Sequence, residues 1–115
     1  MLERHATNAR MSQIVVHGET IYLSGQVPDT PTAEISKQTK EVLAKIDRLL
    51  AQVGAQNSDL LSATVWLTDM SDFAAFNEVW DNWIPANCAP ARACVQAGLA
   101  RPGLRVEVGV IAAKS

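Results

Sequence analysis

Cysteine is nearly absent from this sequence: Cys88 and Cys94 are the only two in 115 residues. They stand close together with Pro90 between them, so they do not suggest a structural staple. Free thiols in a reducing cytoplasm are the simplest expectation. Runs of Lys or Arg are missing, and the formal net charge is −2. Phosphate-backbone affinity rests on clustered cations, so a nucleic-acid surface is not expected. No apolar run reaches membrane-spanning length. Met1 to Arg10 is polar with charges of both signs, unlike a secretory signal. There is no CxxC, no HExxH and no carboxylate cluster with ligand spacing, so no metal is expected. The glycines form no phosphate-cradling motif.

What is present is a chain that is 48% hydrophobic, ordinary for a folded protein. Its length suits one domain over residues 1–115. Gln13 to Val16 and Thr20 to Leu23 are short and β-prone, and Gly18 between them predicts a hairpin. Pro28, Asp29 and Pro31 mark a loop. From Thr32 to Val53 the period changes. Ile35, Val42, Leu43, Ile46, Leu49, Leu50 and Val53 make one stripe of a long helix, with Thr32 as its expected cap and Gly54 as its stop.

Ser62 to Thr68 alternates and predicts a strand. Ser71-Asp72 opens a second helix that Pro85 ends, with Phe73, Phe76, Val79, Trp80, Trp83 and Ile84 on its apolar face. Ala91 to Ala97 and Leu104 to Ile111 predict two more strands around a loop from Gly98 to Gly103. The order is β-β-α-β-α-β-β, an α+β domain with a mixed sheet and both helices on one face. The other face, expected to carry Trp66, Cys94, Gln96 and Ile111, is partly apolar. Such a face seeks a partner, and a symmetric oligomer would cover it.

Alternation predicts where the reactive side chains point. Leu104, Val106, Val108 and Val110 claim the helix side, so Glu107 faces away. Ala93, Val95 and Ala97 suit the helix side, which would put Arg92, Cys94 and Gln96 with Glu107 if the two strands pair. The plain reading, favoured by pattern alone, is an Arg92–Glu107 ion pair. The chemical reading is a guanidinium that takes a carboxylate bidentately, with Glu107 holding a water. Cys94 alone reads as a small buried hydrophobe, with no His near it in sequence. Trp66, Trp80 and Trp83 could stack bases, but Trp80 and Trp83 fit the helix stripe and read as core.

Pro90-Ala91-Arg92-Ala93-Cys94-Val95 followed by Val106-Glu107-Val108 resembles the C-terminal signature of the RidA/YjgF family. Ser24-Gly25-Gln26-Val27-Pro28 resembles that family's first loop. Thr64-Val65-Trp66-Leu67-Thr68-Asp69 with Asp72-Phe73 and Asn77 resembles its central strand and second helix. The match runs from about Met11 to the end. Val95-Gln96-Ala97-Gly98-Leu99 and Ala9-Arg10-Met11-Ser12 are similar to a YoaB-like branch.

The resemblance implies a chorismate-mutase-like fold. It also implies a homotrimer with a central β-barrel and clefts between subunits. The implied activity is hydrolysis of 2-imino or enamine acids to 2-keto acids and ammonia, without cofactor or metal. The residue matching Arg92 holds the substrate carboxylate. Glu107 matches the residue that positions water, and Cys94 lines the cleft, helping mainly through its backbone together with Ala93. Ser24 and Asn77 border the pocket. Met11 stands where founding members carry a Tyr that closes over the substrate; it fills volume but donates no hydrogen bond. The rival expectations are a keto-acid-binding regulatory trimer without turnover, an RNA-directed activity and a holdase.

Overall fold

The protein is described here by a computed structural model covering residues 2–114. Six strands form one sheet: β1 (Leu2–Thr7), β2 (Ser12–His17), β3 (Thr20–Leu23), β4 (Leu60–Leu67), β5 (Ala91–Gln96) and β6 (Val106–Ala113). Their spatial order is β1-β2-β3-β6-β4-β5. Only β4 and β5 run parallel; the other neighbours are antiparallel. Two helices, α1 (Ile35–Gln52) and α2 (Phe73–Trp83), complete the α+β architecture. Val42, Ile46 and Leu50 of α1 and Phe76 and Trp80 of α2 share one core with Ala63, Val65, Leu67, Val106, Val108 and Val110 of the sheet.

The predicted order is extended by one strand, β1. Its sequence, LERHAT, is exposed along nearly its whole length and has no apolar period to reveal it. The backbone ladder to β2, from Leu2 opposite His17 to Thr7 opposite Ser12, holds it in place, with the Thr7 and Ser12 hydroxyls in contact at 2.7 Å and Lys114 reaching Glu3 at 3.8 Å. The predicted hairpin is present, with Gly18 at φ 62° opening a two-residue turn.

The start of α1 differs from the expected Thr32 cap. Ala33 is still in a turn onto Thr30, and Glu34 is the cap, its Oε1 accepting from the Lys37 N–H at 3.0 Å. The end of α1 follows the glycine rule. Gly54 takes φ 74°, its N–H bonds Ala51 O, and the Ala55 N–H bonds Leu50 O, a Schellman closure.

On α2, Phe73 does not join the apolar face and is 39% exposed. The preceding Asp72 turns inward instead, because Arg105 reaches it from the lead-in to β6 through Nε at 3.1 Å and Nη2 at 3.3 Å. Strand β6 begins at Val106, two residues later than its sequence pattern suggested, although Leu104 is buried. No helix among the described residues is long and apolar enough to cross a membrane.

The face assignment of β5 is reversed from the sequence expectation. Its parallel register sets Arg92 beside Ala63, Cys94 beside Val65 and Gln96 beside Leu67, all on the helix side. Ala93 and Val95 face the uncovered side, where Val95 is 45% exposed. β5 is an edge strand, so its apolar residues were free to face away from the core. Its helix-side surface is met by the aromatic rings of α2, which accommodate a guanidinium. The uncovered face carries Trp66, Tyr22, Val95 and Ile111. It is partly apolar, but Cys94 and Gln96 do not belong to it.

Candidate functional site

Arg92 projects from the edge strand β5 under α2. Its guanidinium carbon lies 5.2 Å from the centroid of the Trp80 ring and 5.7 Å from that of Phe76. Those rings sit one helical turn apart on α2, which is why one side chain meets both. They give the cation a π-faced seat. Asn77, between them in sequence, accepts a hydrogen bond from Arg92 Nη2 at 2.9 Å. Arg92 Nη1 is buried and has no hydrogen-bond partner. A buried charged donor without a partner is costly, and a carboxylate is the group its fork geometry fits.

Cys94 lies two residues on along the same face, half-buried against the core. Burial pushes its thiol pKa up, and the nearby Arg92 charge offsets only part of that. A raised thiol pKa is the opposite of what a thiolate nucleophile needs. Ala93 between them is exposed on the opposite face.

Glu107 occupies that opposite face, level with Trp66 and, beyond it, Val95. Burial raises its carboxyl pKa above the ordinary 4.5. The chain after β3 crosses its carboxylate. Gln26 pairs with Val108 through both backbone bonds, at 2.8 and 3.1 Å. This brings Gly25 onto the Glu107 side chain. A Cβ at Gly25 would overlap Glu107 Oε2 and lie 2.9 Å from the carboxyl carbon, so the position has room for glycine only. Ser24 is fixed in the same loop. Its hydroxyl donates to Gln13 Oε1 at 2.7 Å, and the buried Gln26 amide donates to Gln13 Oε1 at 2.8 Å.

Arg92 and Glu107 are not an ion pair. β4 lies between their strands, and Arg92 is level with Val110 rather than with Glu107. Two strand spacings and a three-residue offset put their Cα atoms roughly 14 Å apart on opposite faces. Alternation put Arg92 and Cys94 on one face, as observed, but placed that face with Glu107, which lies on the other; Asn77, which the family resemblance put at the pocket border, does touch Arg92.

Met11 lies farther still, before β2 near the opposite edge of the sheet. It is 41% exposed in an open depression of about 340 Å³ that Arg4, Arg10 and Val15 also line. Ser24 adjoins neither Arg92 nor Asn77.

Several functional neighbours escaped sequence reasoning. Phe76 and Trp80 read as plain core, and only the structure sets the cation on them. Gln13, Gln26 and the contact of Gly25 with Glu107 carried no motif beyond the loop resemblance. Gln38, fully buried on α1, accepts from the Arg105 N–H at 2.8 Å and donates to Gly103 O at 2.9 Å and Ala33 O at 3.0 Å. It ties the loop before β6 to the helix, and a polar residue inside an apolar stripe was its only sign. Among the described residues, no His, Cys, Asp and Glu come together as a metal-binding group.

The candidate residues therefore divide between the two edges of the sheet. One edge offers a guanidinium seated on two rings, with its buried Nη1 unpartnered. The middle and far edge of the uncovered face offer a half-buried carboxylate and a shallow depression. The fold and these features define a small α+β protein with an arginine seated on two aromatic rings at an edge strand.

The comparisons agree with that fold. The family model described as Endoribonuclease L-PSP matches residues 1–114. A RutC family protein of Haemophilus influenzae is 42% identical over 112 residues, covering 96% of this chain and 97% of the relative. The RutC family protein YoaB of Escherichia coli is 45% identical over 105 residues, covering 91% of each. A YjgF-family structure from Neisseria meningitidis superposes with TM-score 0.96 at 43% identity, covering all of this chain and 96% of its own. A Pseudomonas aeruginosa structure gives TM-score 0.97 at 42% identity over the full length of both chains. The chain belongs to the L-PSP family, the RidA/YjgF group, and is similar to its YoaB members.

Proposed function

We propose that this protein hydrolyses reactive 2-imino acids, or their enamine tautomers, to 2-keto acids and ammonia in clefts between copies of a homotrimer. The observation that carries the reading is the buried, unpartnered Nη1 of Arg92 beside a half-open edge strand. It calls for an anionic planar group, and a 2-imino acid brings a carboxylate one bond from its reactive carbon.

Two features support a site shared between copies. Arg92 and Glu107 are on opposite faces of the sheet, so no single chain can offer both to one small molecule. The uncovered face also leaves Tyr22 and Val95, 43% and 45% exposed, to be covered. A closed ring joins unlike surfaces, so one copy's β5 edge meets the next copy's uncovered face. In that arrangement Ser24, Met11 and Glu107 of one copy border the Arg92, Asn77, Ala93 and Cys94 of another.

The chemistry then needs no further group. Arg92 fixes the carboxylate and thereby orients the imine carbon. Glu107 of the adjoining copy holds a water and accepts its proton as the oxygen bonds to that carbon. The backbone N–H of Cys94, next to Ala93 on the free edge of β5, faces the tetrahedral adduct. Glu107 relays that proton, and then the proton of the adduct hydroxyl, to the nitrogen; the C–N bond breaks to release ammonia as the C=O bond of the keto acid forms. Met11 packs against the substrate as an apolar lid.

The family description also names endoribonuclease activity. The net charge of −2 and the lack of a cationic run weigh against phosphate-backbone binding.

The test couples an amino-acid oxidase to semicarbazide trapping, with catalase present. The expected result is that the protein lowers semicarbazone yield and that Arg92→Ala, verified as folded and assembled, loses the effect by about 100-fold, the value of two charge-assisted hydrogen bonds. Keto-acid binding through Arg92 without any effect on imine lifetime would overturn the hydrolase reading and leave a metabolite-binding trimer.

A further inference from the structure

The depression around Met11 holds two cations. Arg4 and Arg10 both line it. Neither has an acidic partner within salt-bridge distance among the described residues, whose bridges involve His5, Lys45, Arg105 and Lys114. The backbone beneath them is fixed. Asn8 Oδ1 accepts from the Arg10 and Met11 N–H groups at 2.8 and 3.0 Å, Asn8 N–H bonds Met11 O at 2.9 Å, and Thr7 and Ser12 hydroxyls meet at 2.7 Å. Two unpaired guanidinia beside one concavity on an acidic chain concentrate positive potential there. About 340 Å³ accommodates a carboxylate side chain.

We infer that this depression is the side-chain subsite of the shared cleft, and that Arg10, assisted by Arg4, selects substrates bearing a second carboxylate, that is, 2-imino dicarboxylic acids. The inference rests on the proposed function, because only the assembled ring brings the depression to the Arg92 of another copy. Arg92 takes the carboxylate next to the imine, and Arg10 takes the distal one. Met11 spans the methylene segment between them. Its thioether donates no hydrogen bond, so the two arginines are the depression's cationic donors.

The experiment compares dicarboxylic imines, generated by an acidic-amino-acid oxidase, with aliphatic imines from a neutral one in the semicarbazide assay. Binding of 2-ketoglutarate and 2-ketobutyrate is measured in parallel by calorimetry. Wild type is expected to favour the dicarboxylic class in kcat/KM. Arg10→Gln should lower the dicarboxylic-to-aliphatic ratio about tenfold, roughly the value of one charge-assisted hydrogen bond. Arg4→Gln should lower it less, and the exposed helix variant Arg48→Gln should leave it unchanged. An unchanged ratio in Arg10→Gln, or an equal fall in Arg48→Gln, overturns the subsite. If no imine is hydrolysed, the proposed function fails, and the calorimetry decides this inference separately. Tighter 2-ketoglutarate binding lost in Arg10→Gln upholds it; equal binding of both keto acids overturns it.

Discussion

Arg92 and Glu107 leave the same sheet in opposite directions, with β4 between their strands. If one substrate needs both, two chains must supply them. Mixed oligomers assembled from Arg92→Ala and Glu107→Gln chains are therefore expected to regain activity that neither variant has alone. In a random trimer about one interface in four pairs an intact Arg92 with an intact Glu107, given heterologous contacts. Activity of co-refolded mixtures measures this. Failure of every mixing ratio to recover activity would place the two residues outside one shared site.

Burial raises the pKa of Glu107 above 4.5. A carboxyl of this kind favours the folded state while it is protonated. Its penalty is absent below the unfolded-state pKa and grows as pH rises through 4.5 to the raised folded value. Glu107→Gln is thus expected to raise Tm at pH 7, with the gain vanishing near pH 4. The acid limb of kcat/KM in wild type should fall above 4.5, because the water-activating form is the carboxylate. Thermal scans and pH–rate profiles read both, and a Glu107→Gln protein less stable than wild type at pH 7 would contradict the burial cause.

Gly25→Ala places a methyl where Glu107 Oε2 now lies. The backbone there is pinned by the Gln26–Val108 pair, so the carboxylate must move. The expected outcome is a loss of activity with a cost of about 1–3 kcal/mol, the usual range for overpacking. In a Glu107→Ala background the same substitution should cost almost nothing, because the overlapping atoms are gone. A double-mutant cycle on denaturant midpoints measures that coupling.

Gln38 is fully buried and fully bonded, to Arg105, Gly103 and Ala33. Gln38→Leu keeps the volume but strands one N–H and two carbonyls. A loss of about 2–4 kcal/mol is expected from those unmet groups. Urea denaturation gives the value; a loss below about 0.5 kcal/mol would show that water replaces the amide.

Elements that obey a period were legible from the chain alone. The stripe from Ile35 to Leu50 and the alternation of Ala63, Val65 and Leu67 could only bury their apolar faces one way, so both helices were placed on one side of the sheet. The chain also supplied the chemically telling residues, Arg92, Glu107 and Asn77, through their motif context. Strand β1 was not legible, because an exposed polar strand is held by backbone pairing and leaves no mark on side-chain pattern. The side of β5 was misread for a related reason. Alternation tells which residues share a face but not which face is the core, and on an edge strand the apolar set is not obliged to point inward. Only the tertiary register, with β4 between β5 and β6, decided that Arg92 stacks on Phe76 and Trp80 while Glu107 faces away beneath Gly25. That register keeps the guanidinium and the carboxylate apart within one chain.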